Sequence, residues 1–247
     1  MKKNSSIFEN NISLLKRKNW NQVVAVTGAL GSGKTELTIS LASAMAESGQ
    51  RIVLADMDII NPYFCLRALS GDILKDNLSV LTPPGDAKWG DMGYINPLVR
   101  TKIHDQSNRL IIDVGGDSQG ALALKQFEPD IIEAGYNLIF VVNPYRIRTK
   151  RFSEIKEMKD KLEDTCGLKV NSIAANPHFM DKTSPKDCAE GIIIVDDFST
   201  RMGIPMLFGI AEESISSDVK SMLPDNISLW VLEREILLPW ERGRVRI

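Results

Sequence analysis

Between Val23 and Met45 the chain passes from an unbroken apolar run, through Gly28-Ala29-Leu30-Gly31-Ser32-Gly33-Lys34-Thr35, into a stretch where Leu37, Leu41, Ala44 and Met45 recur at helical spacing. A run that is apolar without alternation reads as a strand covered on both faces, and recurrence every three or four residues reads as an amphipathic helix. The glycines between them mark a tight loop, and Gly49 stands where a helix stops. A strand, a glycine-rich loop and a helix in direct succession open a βαβ unit, which restricts the chain to a parallel sheet flanked by helices.

Further apolar, β-branched runs repeat that pattern at Ile52 to Ala55, Leu110 to Ile112, Leu138 to Val142, Ser172 to Ala175 and Met206 to Ile210. A charged amphipathic segment from Thr149 to Gly167, with Phe152, Ile155, Met158 and Leu162 inward, supplies another crossover helix. The expected fold is α/β: a three-layer, doubly wound, mostly parallel sheet. At 247 residues, 43% hydrophobic and 25% charged, the chain suffices for one domain over residues 1–247. Residues 1–20 read as an N-terminal extension, either a short helix over the sheet or a partner contact. Residues 216–247 read as a tail packed on the domain through Trp230, Leu232 and Leu237; a membrane-targeting amphipathic tail is the alternative, although Pro239 interrupts it. Pro83 to Gln106, rich in Gly, Pro, Asp and Trp, reads as a long functional loop.

A formal net charge of −2 gives no overall reason to bind nucleic acid. The three cysteines, Cys65, Cys166 and Cys188, lie far apart and form no CxxC, which fits a reducing, cytoplasmic compartment. No window approaches the roughly 20 apolar residues of a membrane span.

Gly28-x-x-x-x-Gly33-Lys34-Thr35 is a phosphate-binding loop in the context its mechanism requires, directly after a strand and directly before a helix. Glycines let successive backbone N–H groups, across Gly28, Gly31, Ser32, Gly33 and on to Glu36, turn toward a phosphate, and the helix N-terminus adds partial positive charge. Lys34 is placed to bridge β- and γ-phosphates, and the Thr35 hydroxyl to ligate Mg²⁺. The carboxylates that such a site needs belong at the carboxyl ends of neighbouring strands. "RLIIDVGGD" ends an apolar run on Asp113, and "RIVLADMD" ends another on Asp56 with Asp58 two residues on. Gly115 and Gly116 carry no side chain to keep a backbone N–H from a γ-phosphate, and Asp117 is either a further site carboxylate or a helix N-cap.

In order, the loop, "DMD", "IIDVGG" and Asn176 in "AANPHF" resemble the MinD/ParA and CobQ/CobB group of phosphate-loop ATPases, of the SIMIBI type, over about Asn21 to Glu213. The resemblance implies ATP and Mg²⁺ as cofactors and Lys34 on phosphate. It implies Thr35, Asp113 and Asp56 at the metal, and Asp58 or Asp117 positioning the attacking water. It further implies Asn176 and the segment near Pro205 beside the base, and a nucleotide-dependent homodimer or another protein as partner. ATP is favoured over GTP because no NKxD or TKxD follows any strand. Where MinD and ParA proteins carry a lysine that reaches across the dimer, this chain has Ala29. A cation from elsewhere, such as Lys88, Arg100 or Lys102 in the long loop, could substitute for that lysine by meeting the transition-state charge; the alternative for these residues is a solvated surface. The paired cluster-ligand cysteines of the nitrogenase iron protein have no counterpart.

Three functions follow from these residues. The first is a regulatory ATPase whose loops near Asp58 and Asp113 change with the γ-phosphate. The second is an ATP-dependent ligase or kinase of the dethiobiotin synthetase or cobyrinate synthase type, with Trp89, Asp91 and Tyr94 forming its substrate pocket. The third, suggested by Ala29, is a non-hydrolysing nucleotide-binding scaffold or metallochaperone.

Overall fold

The computed structural model of the protein describes residues 5–58, 77–81, 95–116 and 118–234. Asp117, Cys65, Lys88, Trp89, Asp91, Tyr94, Leu237 and the chain from Pro239 onward lie outside the described residues.

The elements run α1 (Ser5–Lys16), β1 (Val23–Gly28), α2 (Lys34–Glu47), β2 (Ile52–Met57), β3 (Leu78–Leu81), α3 (Leu98–His104), β4 (Arg109–Val114), α4 (Ser118–Lys125) and α5 (Glu128–Ala134). They continue as β5 (Tyr136–Val142), α6 (Phe152–Cys166), β6 (Ser172–Ala175), α7 (Pro185–Met202), β7 (Met206–Glu212), α8 (Glu213–Met222) and β8 (Leu229–Leu232). Among the described residues the strands form one sheet in the order β3-β2-β4-β1-β5-β6-β7-β8, and every pairing is parallel. The expected runs are all present as strands, each lengthened by a residue or more except Ser172–Ala175.

The apolar runs fill both faces, as a doubly wound sheet demands. On one face Val24, Val26, Leu54 and Ile111 pack under Leu37, Leu41 and Met45 of α2. On the other, Val23, Ala25, Ile112 and Phe140 meet Ile155 and Leu162 of α6 and Ile192 and Val195 of α7. Because side chains alternate along a strand, Asp56 continues the row of Ile52 and Leu54, and Asp113 that of Ile111. Both carboxylates therefore sit at the α2 face, in register with one another (Asp56↔Asp113) and with Val26 of β1.

Two expectations need correction. The tail is not merely packed on the domain: Leu229–Leu232 is a strand of the sheet, with Trp230 fully buried against Phe208 and its indole N–H bonded to the Ser40 hydroxyl at 3.0 Å. The N-terminal extension contains a helix, α1, which lies on β8. The loop from Pro83 to Gln106 contains α3, begun where Asn96 Oδ1 accepts the Leu98 N–H at 3.0 Å and anchored by buried Val99 and Ile103. Among the described residues no helix is long and apolar enough to cross a membrane.

Candidate functional site

Since all strands point the same way, the loops after β1, β2, β4, β5 and β6 gather at one edge of the sheet. β1 lies between β4 and β5, so the loop leaving it has the β4 and β2 exits on one side and the β5 and β6 exits on the other. That is where ligands bind in open α/β sheets.

The loop is shaped by contacts that exclude side chains. Gly31 and Gly33 hold left-handed φ of 74° and 86°. A Cβ on Gly33 would collide with the Asn176 amide nitrogen, which donates to the Ser32 carbonyl at 2.7 Å. A Cβ on Gly116 would lie 3.2 Å from the Leu30 nitrogen, so the segment after β4 passes directly beside the loop. Lys34 and Thr35, the first residues of α2, are 5% and 7% exposed.

On the β4 and β2 side the expected carboxylates come together. Lys34 Nζ lies 3.3 Å from Asp58 Oδ2, with both side chains buried. The Asp58 N–H donates to Asp56 Oδ1 at 3.0 Å, tying the exit of β2 to its last turn. Asp113 is completely buried and both of its oxygens lack a hydrogen-bond partner. Burial pushes its carboxyl up to about 7; Lys34 opposes the shift, Asp56 and Asp58 add to it, and the Thr35 hydroxyl, near but outside hydrogen-bonding geometry, helps Lys34. A buried carboxylate whose oxygens have no hydrogen-bond partner, beside the Lys34–Asp58 pair, is suited to a further cation. Among the described residues no group of three His, Cys, Asp or Glu side chains closes a metal site by itself. Mg²⁺ does not require one, because it is held through one or two protein groups together with phosphate and water.

On the β5 and β6 side a cavity of about 640 Å³ runs from Gly31, Gly33, Lys34, Thr35 and Glu36 past Asn176 and His178 to Ile210, Ile215 and Leu232. Asn176 spends its amide nitrogen on the loop, which leaves its carbonyl oxygen for a ligand. Burial, with Arg146 and Arg234 nearby, pulls the His178 imidazole down to about 4 against a weaker pull from the Gly31 backbone, so the ring is neutral at pH 7.

Pro205, expected beside the base, lies elsewhere. Its carbonyl accepts the Ile173 N–H at the start of β6, and the chain enters β7 at the next residue. With a rise near 3.3 Å per residue, that is roughly 20 Å from the carboxyl end of β7. The ends of β7 and β8, at Glu212 and Leu232, line the cavity in its place. Arg100 and Lys102 are not at the site either. Arg100 reaches Asp130 at 3.3 Å and the Gln126 carbonyl at 3.0 Å, while Lys102 pairs with Asp105 at 2.8 Å. Ala29 is buried. The residues that the sequence reading missed are Arg146, His178 and Arg234. A recurrent Asn-Pro, Asn143-Pro144 after β5 and Asn176-Pro177 after β6, was the available signal for the first two.

A second cavity, of about 610 Å³, lies on the other face of the sheet, between α4 and α6, with Thr27, Gly28 and Gly116 at its base and Arg148, Glu157 and Lys161 on its walls.

No protein-family profile matches the chain, and no curated protein matches it. Solved structures do. The signal recognition particle receptor FtsY from Elizabethkingia anophelis is 16% identical with a TM-score of 0.50, over 83% of this chain and 65% of that one. The chain thus spans less than two thirds of that receptor's length. Chloroplast FtsY from Physcomitrella patens is 15% identical with a TM-score of 0.54, over 89% of this chain and 74% of that one. The septum site-determining protein MinD from Pyrococcus horikoshii OT3, complexed with Mg-ADP, is 17% identical with a TM-score of 0.47, over 82% and 86%. At these identities the likeness is one of fold alone: the two FtsY structures and the all-parallel sheet give the chain an α/β fold of the SIMIBI P-loop type.

Proposed function

We propose that the protein is a Mg²⁺-ATP-dependent switch, a slow ATPase that binds or releases a protein partner according to the state of its nucleotide. The observation that carries this reading is the buried Lys34–Asp58 pair beside an unpartnered Asp113. A P-loop lysine paired with a carboxylate at the exit of β2 has two partners to choose from, that carboxylate and a phosphate. When the β- and γ-phosphates draw Lys34 away, Asp58 loses that contact, so the state of the nucleotide is coupled to the exit of β2. Switch segments in nucleotide-dependent proteins change arrangement with the γ-phosphate.

The Thr35 hydroxyl and Asp113, with Asp56 behind them, would hold Mg²⁺, which would neutralise phosphate charge there. Asp113's buried, orphaned oxygens and its raised pKa fit that role, because a nearby cation is what would make the ionised carboxylate favourable. Gly116, whose lack of a Cβ lets the segment after β4 pass beside the loop, would offer its N–H to the γ-phosphate. ATP over GTP rests on the lack of an NKxD or TKxD pattern after any strand.

Lys34→Ala should lower phosphate release by about a hundredfold or more, as expected for the loss of a charge aimed at the transferring phosphoryl group. Undiminished multiple-turnover hydrolysis in that variant would overturn the proposal. A second reading, an ATP-dependent ligase or kinase, is favoured by the second cavity, whose base at Gly28 and Gly116 adjoins the same loop. ADP release that depends on an added small acid would select it over the switch.

A further inference from the structure

The missing lysine at Ala29 leaves open which cation, besides Lys34, serves the site. Arg146 is carried on the turn after β5, and that turn is braced from several directions. Asn143 Oδ1 accepts the Tyr145 N–H at 3.1 Å, the Asn143 side-chain amide donates to the His178 carbonyl at 3.0 Å, and the Tyr145 ring stacks on Phe179 at 4.3 Å. From this platform the Arg146 Nε–H donates to the Gly31 carbonyl at 3.0 Å. A Cβ on Gly31 would lie 3.2 Å from Arg146 Nε, 3.3 Å from Cζ and 3.6 Å from Nη2, so the guanidinium lies against that residue and alanine there would displace it.

Its position decides its task. Asp113, Asp56 and Asp58 lie on the β4 and β2 side of the loop, where the γ-phosphate belongs. Arg146 lies on the opposite side, in the wall of the 640 Å³ cavity with Asn176, Pro177 and His178. With Nε committed to the loop, the guanidinium remains among the lining residues of a largely apolar cavity. A guanidinium plane stacks on aromatic rings and gains from their quadrupole.

We propose that Arg146 stacks its guanidinium plane on the purine base of the bound nucleotide while its Nε holds the phosphate loop at Gly31, joining the base end and the phosphate end through one side chain. The inference rests on the nucleotide-binding reading. It makes Arg146 a base-binding residue and not a substitute for the absent transition-state lysine.

Calorimetric titration of wild type, Arg146→Ala and Arg146→Lys with Mg-ATP, Mg-ADP and inorganic tripolyphosphate tests it, with circular dichroism confirming that each variant is folded. Arg146→Ala should weaken ATP and ADP by the same factor, about tenfold, and weaken tripolyphosphate far less, through the lost bond to Gly31 alone. Arg146→Lys, which keeps the charge and loses the plane, should recover less than half of that loss on a logarithmic scale. Equal weakening of tripolyphosphate and ATP would make Arg146 a phosphate cation and overturn the proposal. So would weakening of ATP without ADP, full rescue by lysine, or unchanged affinity throughout. Failure of the wild type to bind any nucleotide would instead overturn the nucleotide reading on which the inference stands.

Discussion

Asp113 carries both the cost and the use of the site in a single side chain. Its carboxyl titrates at about 7 in the folded protein, against an ordinary value near 4. A carboxyl whose folded pKa is raised holds its proton more tightly folded than unfolded, so the metal-free protein loses stability as pH rises from about 4 to about 7. The whole shift corresponds to at most about 4 kcal/mol. Asp113→Asn, which cannot ionise, should therefore melt higher than wild type at pH 8 in a chelating buffer, and the gap should narrow toward pH 4. The same variant should lose the stabilisation that Mg-ATP gives the wild type. Scanning calorimetry with and without Mg-ATP checks both, and a variant that melts lower than wild type at pH 8 without metal would refute the account. Asp113 and the Gly28–Thr35 loop were legible in the sequence because each depends on its immediate neighbours alone. Arg146 and His178 were not, because their relation to Gly31 is made by strand order: the bond from Arg146 to Gly31 joins residues 115 positions apart. Pro205 was misplaced for a related reason. A residue just before a parallel strand lies at the amino end of the sheet, whereas the site lies at the carboxyl end.

At the scale of elements, the central strands were legible because burial on both faces makes them uninterrupted apolar runs, while the edge strands were not. In β3 only Leu78 is buried, so Leu78–Leu81 has no run to show. The four residues of β8 are indistinguishable in sequence from an apolar tail, and α3, with Val99 and Ile103 its only buried residues, is too short to display a period. An edge strand presents unpaired backbone groups, and here α1 covers them. The Asn11 side-chain amide donates to the Val231 carbonyl at 2.8 Å, the Val231 N–H returns a bond to Asn11 Oδ1 at 3.0 Å, and Asn10 reaches the Leu229 carbonyl at 3.0 Å. Asn11 is 5% exposed and imitates a strand partner for one residue of β8. Asn11→Ala should cost roughly 2 kcal/mol, from two bonds worth about 1 kcal/mol each. Urea denaturation would measure it. Amide exchange at Val231 should accelerate in the variant while exchange in β1 follows global stability; unchanged protection at Val231 would show that α1 is not what closes this edge.

At the scale of the molecule, the all-parallel sheet sends every connection that follows a strand to one edge, and that edge carries more than polar groups. Leu30 at the tip of the phosphate loop is 75% exposed, and Ile147, next to Arg146, is 83% exposed. Large apolar side chains left in water on loops that a nucleotide would order are suited to being covered by another protein once the loops are set. Of the two partners the sequence leaves open, a second copy of this chain or another protein, the second copy is the one tested directly. The expected outcome in sedimentation is a monomer with Mg-ADP, a dimer with a non-hydrolysable Mg-ATP analogue, and a monomer with either ligand for Lys34→Ala. Ile147→Lys should bind the analogue as wild type does yet remain monomeric, because an ammonium in an apolar contact must be desolvated without a partner. If the wild-type mass stays unchanged while the analogue is demonstrably bound, the edge does not self-associate. The switch would then have to act on a different protein, and Leu30 and Ile147 would be the first residues at which to map that contact.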